Sequence, residues 1–376
     1  MKKFLALLLI ITSLLLLCSC SSTTYEPQES TDEESRVVMI MTIDGNEYKV
    51  KYELYRALFL NYKSSVDGGD STVWSSENKE QYVEKINTII LDRIAEIYSA
   101  FAICKRINFD VYSKDVEKKI QENIRIDVEG GSYGSTTIEG YGTYEKYLEA
   151  LKTKNLNYSA QVLMYRYAIA VDAIDTYYIG TASSDDININ MSIGAITYTK
   201  NDAKDFYNSD DCVRILRASY QKALSYTPKE SAEKLRDKLV KAAESKTDLA
   251  EKEAAVAIAI ASSSMTNASE IENGYVIGRY NLESSYYGNM TAAAFALKPG
   301  EVSECINIVT DTENAYYILY KAEKSDEHFE ANYSSIKYIY LMNCVGEITH
   351  GVADELKSSV AYSDFFNSIN HSEISM

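Results

Sequence analysis

The sequence predicts an α+β protein, with a mainly helical region followed by a unit whose small antiparallel sheet is flanked by helices. Three observations point there. Over residues 82–104, Val83, Ile86, Ile90, Ile94, Ile97 and Phe101 recur at three-and-four spacing and mark one face of a long helix. A short β-branched run over 37–43 ends at Asp44-Gly45, a turn signal, so a hairpin is expected at 37–51. From 210 to 324 the pattern runs β-α-α-β-α-β-β.

The chain opens with Lys2 and Lys3, then an apolar run over 4–17, then Leu17-Cys18-Ser19-Cys20. A charged start, a short apolar stretch and a small residue before a cleavage point make a secretory signal. The run is short for a spanning helix, which needs about 20 residues. Its last four residues resemble the lipobox of bacterial lipoproteins. That resemblance implies cleavage before Cys20, a diacylglycerol on its sulfur, and anchoring on the extracytoplasmic face of the cell membrane. An ordinary secretory signal cut near Ser19 is the alternative. Residues 1–19 are therefore expected to be a signal peptide. The polar, acidic segment 20–36 reads as a flexible tether.

Residues 37–209 read as a mainly helical domain. Tyr52 begins a helix broken by Asp67-Gly68-Gly69-Asp70. Ser113 starts another, with Asp115 in its first turn. A Gly-rich loop over 129–142 carries no phosphate-binding spacing. Thr143 and Thr199 are expected caps, and the segment 180–198 reads as an irregular insertion. In residues 210–324, Cys212 to Tyr220 reads as a strand. Helices follow from Thr227-Pro228 and from Leu249, then a strand at Tyr275. A short helix from Met290 stops at Pro299-Gly300, and 301–309 and 315–321 close the unit as a strand pair. Residues 325–376 are expected to form two helices, over 333–343 and 352–369, packing on the helical domain.

Composition narrows the function classes. A net charge of −17 gives no basis for binding nucleic acid or other polyanions. Apart from the two cysteines of the export signal, Cys104, Cys212, Cys305 and Cys344 remain; they are far apart, lack CxxC spacing and read as buried free thiols, with disulfides, in any of three pairings, the alternative. The histidines, His328, His350 and His371, have no ligand-spaced partner, so neither a metal nor any cofactor is expected. No Ser-His-Asp, Cys-His or metal constellation argues for a hydrolase.

The run Ala293-Ala294-Phe295-Ala296-Leu297-Lys298-Pro299-Gly300-Glu301-Val302-Ser303 resembles the late part of a parvulin-type (rotamase) peptidyl-prolyl isomerase domain. Val213-Arg214-Ile215-Leu216 resembles that family's opening strand, and Gly274-Tyr275-Val276-Ile277-Gly278 its Gly-Gly-Asp-Leu-Gly segment. Ile43-Asp44-Gly45 followed by Tyr52-Glu53 resembles the opening of the PrsA and SurA foldases, and the helix pair around 82–126 followed by Thr143-Tyr144-Glu145-Lys146-Tyr147-Leu148 resembles their helical chaperone region. The resemblance implies a parvulin-like domain at 210–324. It also implies a membrane-anchored foldase acting on unfolded or folding exported proteins, with the oligomeric state open and a dimer one option.

By position in the family pattern, the site would comprise Met290, Phe295, Tyr317 and Arg214. The last two stand where parvulins carry histidines. An Xaa-Pro bond turns over a barrier of about 18–20 kcal/mol. An isomerase lowers it by binding the twisted amide in a dry apolar pocket, without covalent chemistry. Loss of the histidines therefore leaves three readings: an isomerase, a non-catalytic chaperone with a degenerate isomerase domain, and a solute-binding or structural envelope lipoprotein. Met290 and Phe295 fit a proline pocket or ordinary core. Arg214, if central in a sheet, needs a carboxylate or water. The 32 tyrosines suit loose, sequence-tolerant contacts or simply fill cores and surfaces.

Overall fold

The computed structural model describes residues 24–133, 136–180, 192–193, 196–197, 199–223, 229–262, 271, 274–280, 288–309 and 313–375. The expected signal peptide, the lipidated Cys20 and the Thr227-Pro228 helix start lie outside the described residues. So does most of the segment 180–198. The architecture is α+β, in two compact units.

The first unit comprises residues 24–101, 108–170 and 356–375 of the described chain. Strands β1 (Val37–Ile43) and β2 (Asn46–Lys51) form the expected hairpin. Its turn needs left-handed backbone at both central residues, and Asp44 and Gly45 adopt φ of 52° and 70°. Helix α1 (Tyr52–Asp67) ends at Gly68, whose αL conformation lets its N–H reach the Ser64 carbonyl. A 3-10 turn follows at Ser71–Ser75. There the buried Trp74 donates its indole N–H to Asp67 at 2.7 Å.

In α2 (Lys79–Arg106) the predicted stripe holds, with Ile86, Ile90, Ile94, Ile97 and Phe101 buried. Ser113 caps α3 (Lys114–Glu129) by accepting the Val116 N–H. The Gly-rich stretch is not wholly a loop. It forms a small hairpin from β3 (Gly131–Tyr133) and β4 (Thr136–Ile138). Thr143 caps α4 (Tyr144–Thr153), and α5 (Tyr158–Tyr178) follows.

Residues 24–36 depart from the expected flexible tether. Tyr25 stacks on Tyr144 with ring centroids 5.0 Å apart and donates its hydroxyl to Glu129 at 2.8 Å. Glu34 pairs with Arg56 at 2.6 Å. The segment is polar, but its one aromatic ring and the Glu34 carboxylate find fixed partners, so low hydrophobicity alone misjudges it.

The second unit comprises 102–107 and residues 171–355. It begins with the two-residue strands β5 (Ser192–Ile193) and β6 (Ile196–Thr197) and with α6 (Lys200–Asn208). Thr199 and Asp202 form the full reciprocal capping box of α6. Then come β7 (Cys212–Ala223), α7 (Lys229–Glu244), α8 (Leu249–Ala261), β8 (Tyr275–Gly278), α9 (Gly288–Ala296), β9 (Ile306–Val309) and β10 (Glu313–Ala322). The sheet order is β8-β7-β10-β9, with every pair antiparallel. Residues 301–305 are not regular strand; only Val302 bridges to Tyr320.

Alternation along β7 and β10 sends successive side chains to opposite faces. On one face Leu216, Ala218, Ile318 and Tyr320 pack with Leu235 and Leu239 of α7 and with Val256 and Ile260 of α8. On the other, Val213, Ile215, Ala315, Tyr317 and Leu319 pack with Met290 and Ala294 of α9.

The last part of the chain differs from expectation. Helices α10 (Asp326–Ala331) and α11 (Tyr333–Ser358) place Phe329 and Ile336 against Ala203, Phe206, Tyr207 and Cys212 of the second unit. Only residues 356–376 fall in the first unit, and 171–209 fall in the second. The expected boundaries at 210 and 325 are therefore displaced.

The break expected at 344–351 is absent, because Gly346 serves a close approach within one continuous helix. A Cβ there would lie 1.2 Å from the Tyr280 carbonyl oxygen. Asn343 accepts the Tyr280 N–H at 2.8 Å. After α11 come β11 (Ala361–Tyr362), which pairs with β1, and the short α12 (Asp364–Asn367).

Candidate functional site

The structure does not gather the four expected site residues into one cleft. Met290 and Tyr317 are 4 % and 5 % exposed and belong to the core beneath α9. Phe295 packs at the margin of that core, with the Arg279 guanidinium 4.5 Å from its ring centre. Arg279 is held by Asp211 at 2.7 Å. Tyr317 has the Arg217 guanidinium 5.3 Å from its ring, and Arg217 also stacks over Tyr275 at 4.2 Å. Three of the four thus share one face of the sheet.

Arg214 lies on the opposite face. Strand alternation places it with Leu216 and Ala218, toward α8. It meets the need that a buried arginine imposes. Its Nη1 and Nη2 donate to the two carboxylate oxygens of Glu253 at 2.9 and 2.6 Å, and Nη1 also donates to the Glu323 carbonyl at 2.9 Å. Such a fork-to-fork pair holds both planes in one orientation. Its Nε is buried without a hydrogen-bond partner.

Arg214 lines a cleft of about 840 Å³ within the second unit. One wall is α8, which presents Ala250, Ala254, Ala257 and Ala261 at helical spacing, with Ile258 beside them. The other runs from Glu323 through Ser325 and along α10 to Asn332. Lys324 turns its ammonium to the Ser209 carbonyl at 2.6 Å, and burial holds its pKa below the usual lysine value. His328 is buried and stacked on Tyr207, with Nδ1 3.2 Å from the tyrosine hydroxyl.

Sequence reasoning missed Glu253, Ile258, Glu323 and Glu327. The alanine spacing in residues 249–261 was the available signal; it marked a helix without saying which side stays open. Among the described residues no group of three His, Cys, Asp or Glu side chains could hold a metal ion. Nor, among them, is any helix long and apolar enough to cross a membrane. Among the described residues, Cys104, Cys212, Cys305 and Cys344 form no disulfide.

No family model matches the chain, and no curated protein does. Among solved structures it is similar to the foldase protein PrsA of Lactococcus lactis, at 19 % identity over 91 % of this chain and 100 % of that one, with a TM-score of 0.22. It is similar to the foldase protein PrsA of Streptococcus pneumoniae at 14 % identity, over 87 % and 97 % of the two chains, with a TM-score of 0.27. PrsA of Bacillus subtilis matches at 15 % identity, over 86 % and 93 %, with a TM-score of 0.22.

Proposed function

We propose that this chain is an extracytoplasmic foldase, anchored to the membrane through a lipid on Cys20, that binds unfolded exported proteins. Its parvulin-like unit acts through binding, with prolyl isomerisation slow or absent. One observation carries the reading. Residues 212–322 build a single four-stranded antiparallel sheet, with α7 and α8 on one face and α9 on the other. That order is what the resemblance to parvulin-type isomerases implies, and the Pro299-Gly300 turn follows α9 where the motif requires it.

The preference for binding over catalysis rests on burial. A prolyl isomerase needs an open, dry hollow for the proline ring. Met290 and Tyr317 are instead packed among core side chains. Arg214, at a position that the family pattern gives to histidine, is turned away from them and committed to Glu253.

Two assays on the full chain test the proposal. An unfolded client protein should aggregate less in its presence. Protease-coupled isomerisation of Xaa-Pro peptides should proceed at the spontaneous rate. A client that aggregates unchanged rejects the foldase reading. Acceleration of isomerisation that Phe295→Ala removes would replace the binding reading with the catalytic one. Labelling of cells with radioactive palmitate, lost in Cys20→Ala, tests the anchor.

A further inference from the structure

The cleft between α8 and α10 lies on the side of the sheet away from Met290, Phe295 and Tyr317, so the proline-site expectation does not account for it. Its α8 wall is apolar and shallow. Ala250, Ala254, Ala257 and Ala261 leave room for side chains of an occupant. Ile258 stands 71 % exposed beside them, the most exposed large apolar side chain among the described residues.

The facing wall is acidic in net effect. Arg214 and Glu253 neutralise one another, and Lys324, whose ammonium points to the Ser209 carbonyl, offsets one of the two carboxylates Glu323 and Glu327, leaving the other uncompensated. The Glu323 and Glu327 side chains are exposed, and neither makes an ion pair among the described residues. On the floor, the Arg214 side chain is nine-tenths buried and keeps a buried Nε without an acceptor.

From Ala250 to Ala261 the helix rises about 16 Å at 1.5 Å per residue. That is the length of about five residues of extended chain. A volume of about 840 Å³ lies within the range of sites that enclose a ligand.

We infer that this cleft binds an extended polypeptide segment in which basic residues alternate with aliphatic ones. The aliphatic side chains lie on the alanine wall and Ile258, and the cationic ones reach Glu323 and Glu327. An acidic lip selects against segments of like charge. This inference rests on the foldase reading and names the class of client segment that the second unit takes.

The test uses the full chain and a fluorescein-labelled heptapeptide of alternating lysine and leucine, followed by anisotropy. A second peptide carries glutamate in place of lysine. The lysine peptide should bind and weaken with added salt. Ile258→Ser and Glu327→Gln, both at exposed positions, should each weaken it by about tenfold. The glutamate peptide should not bind.

Three results overturn the site. They are no binding of the lysine peptide, equal binding of the two peptides, or binding unchanged in both variants. Aggregation suppression by the unaltered chain is measured alongside. If it persists while the cleft variants bind normally, the site assignment fails and the foldase reading stands; if it is absent from the start, the foldase reading itself fails.

Discussion

Arg214 and Glu253 meet through two parallel hydrogen bonds, one on each carboxylate oxygen, at 2.9 and 2.6 Å. The arginine side chain is 8 % exposed and the glutamate 24 %. Removing one partner strands a cation that water barely reaches. Glu253→Ala is therefore expected to cost about 3 kcal/mol, the lower end for a broken buried pair because the glutamate is partly wet. Replacing both by apolar residues, Arg214→Met with Glu253→Leu, should recover most of that loss. Denaturant unfolding of the full chain reads both. A single-variant loss below about 1 kcal/mol would mean that the pair behaves as a surface ion pair.

Two glycines of α11 should respond in opposite directions to alanine. Gly351 has nothing within 4 Å of its added Cβ, so Gly351→Ala should stabilise by up to about 1 kcal/mol through helix propensity. Gly346 faces the Tyr280 carbonyl, and Gly346→Ala should cost about 1–3 kcal/mol or more by forcing the two backbones apart. Thermal unfolding of the two variants decides it; equal shifts would sink the packing argument.

His371 should make the end of the chain sensitive to acid. Its ring sits 2.9 Å from the Tyr55 hydroxyl and packs near Phe59. Burial, with a smaller push from Lys79, holds its pKa below the ordinary 6.5. At acid pH the unfolded chain therefore binds the proton more readily than the folded one. The stability contribution is complete above 6.5 and declines as pH falls through the lower folded-state value. Hydrogen-exchange protection at 359–375, normalised for the intrinsic exchange rate, should fall as pH drops below 6.5. His371→Phe should flatten that dependence.

The thiols should alkylate in two groups. Burial pushes Cys104 and Cys212 up to about 12, and both are buried. Cys305 and Cys344 are also raised by burial but are partly exposed. Iodoacetamide on the native chain should therefore modify Cys305 and Cys344 first, because attack needs an accessible thiolate. Mass spectrometry of partially labelled protein gives the order. Early labelling of Cys212 would contradict its position in the core.

The elements of this fold were legible where local chemistry decides them. The caps at Ser113, Thr143 and Thr199, the Asp44-Gly45 turn and the apolar stripe of α2 all formed as read. Tertiary effects were not legible. The continuity of α11 through 344–351 was not read, and nothing local in the sequence marks the close approach of Gly346 to the Tyr280 carbonyl. The docking of 24–36 depends on Tyr144, Glu129 and Arg56, all distant in sequence.

The candidate site was legible only in part. A motif match assigns positions along a strand, but a side chain's face depends on register, and a one-residue offset reverses it. That is why Arg214 came out across the sheet from Tyr317. The open side of α8 carried no sequence mark, because a small-residue stripe reads alike whether packed or empty.

If Cys20 carries the proposed lipid, the docked Tyr25 would set how far the first unit can stray from a bilayer. Only four residues lie between it and Cys20, and the five steps from one to the other make a leash of at most about 18 Å when fully extended. A diacylglycerol on Cys20 would keep the first unit skimming the headgroups, where an emerging chain is met before it can diffuse away. Splicing a flexible spacer of about twenty residues into that leash should lower the yield of secreted clients without altering binding in solution. An unchanged yield would show that proximity to the lipid surface plays no part.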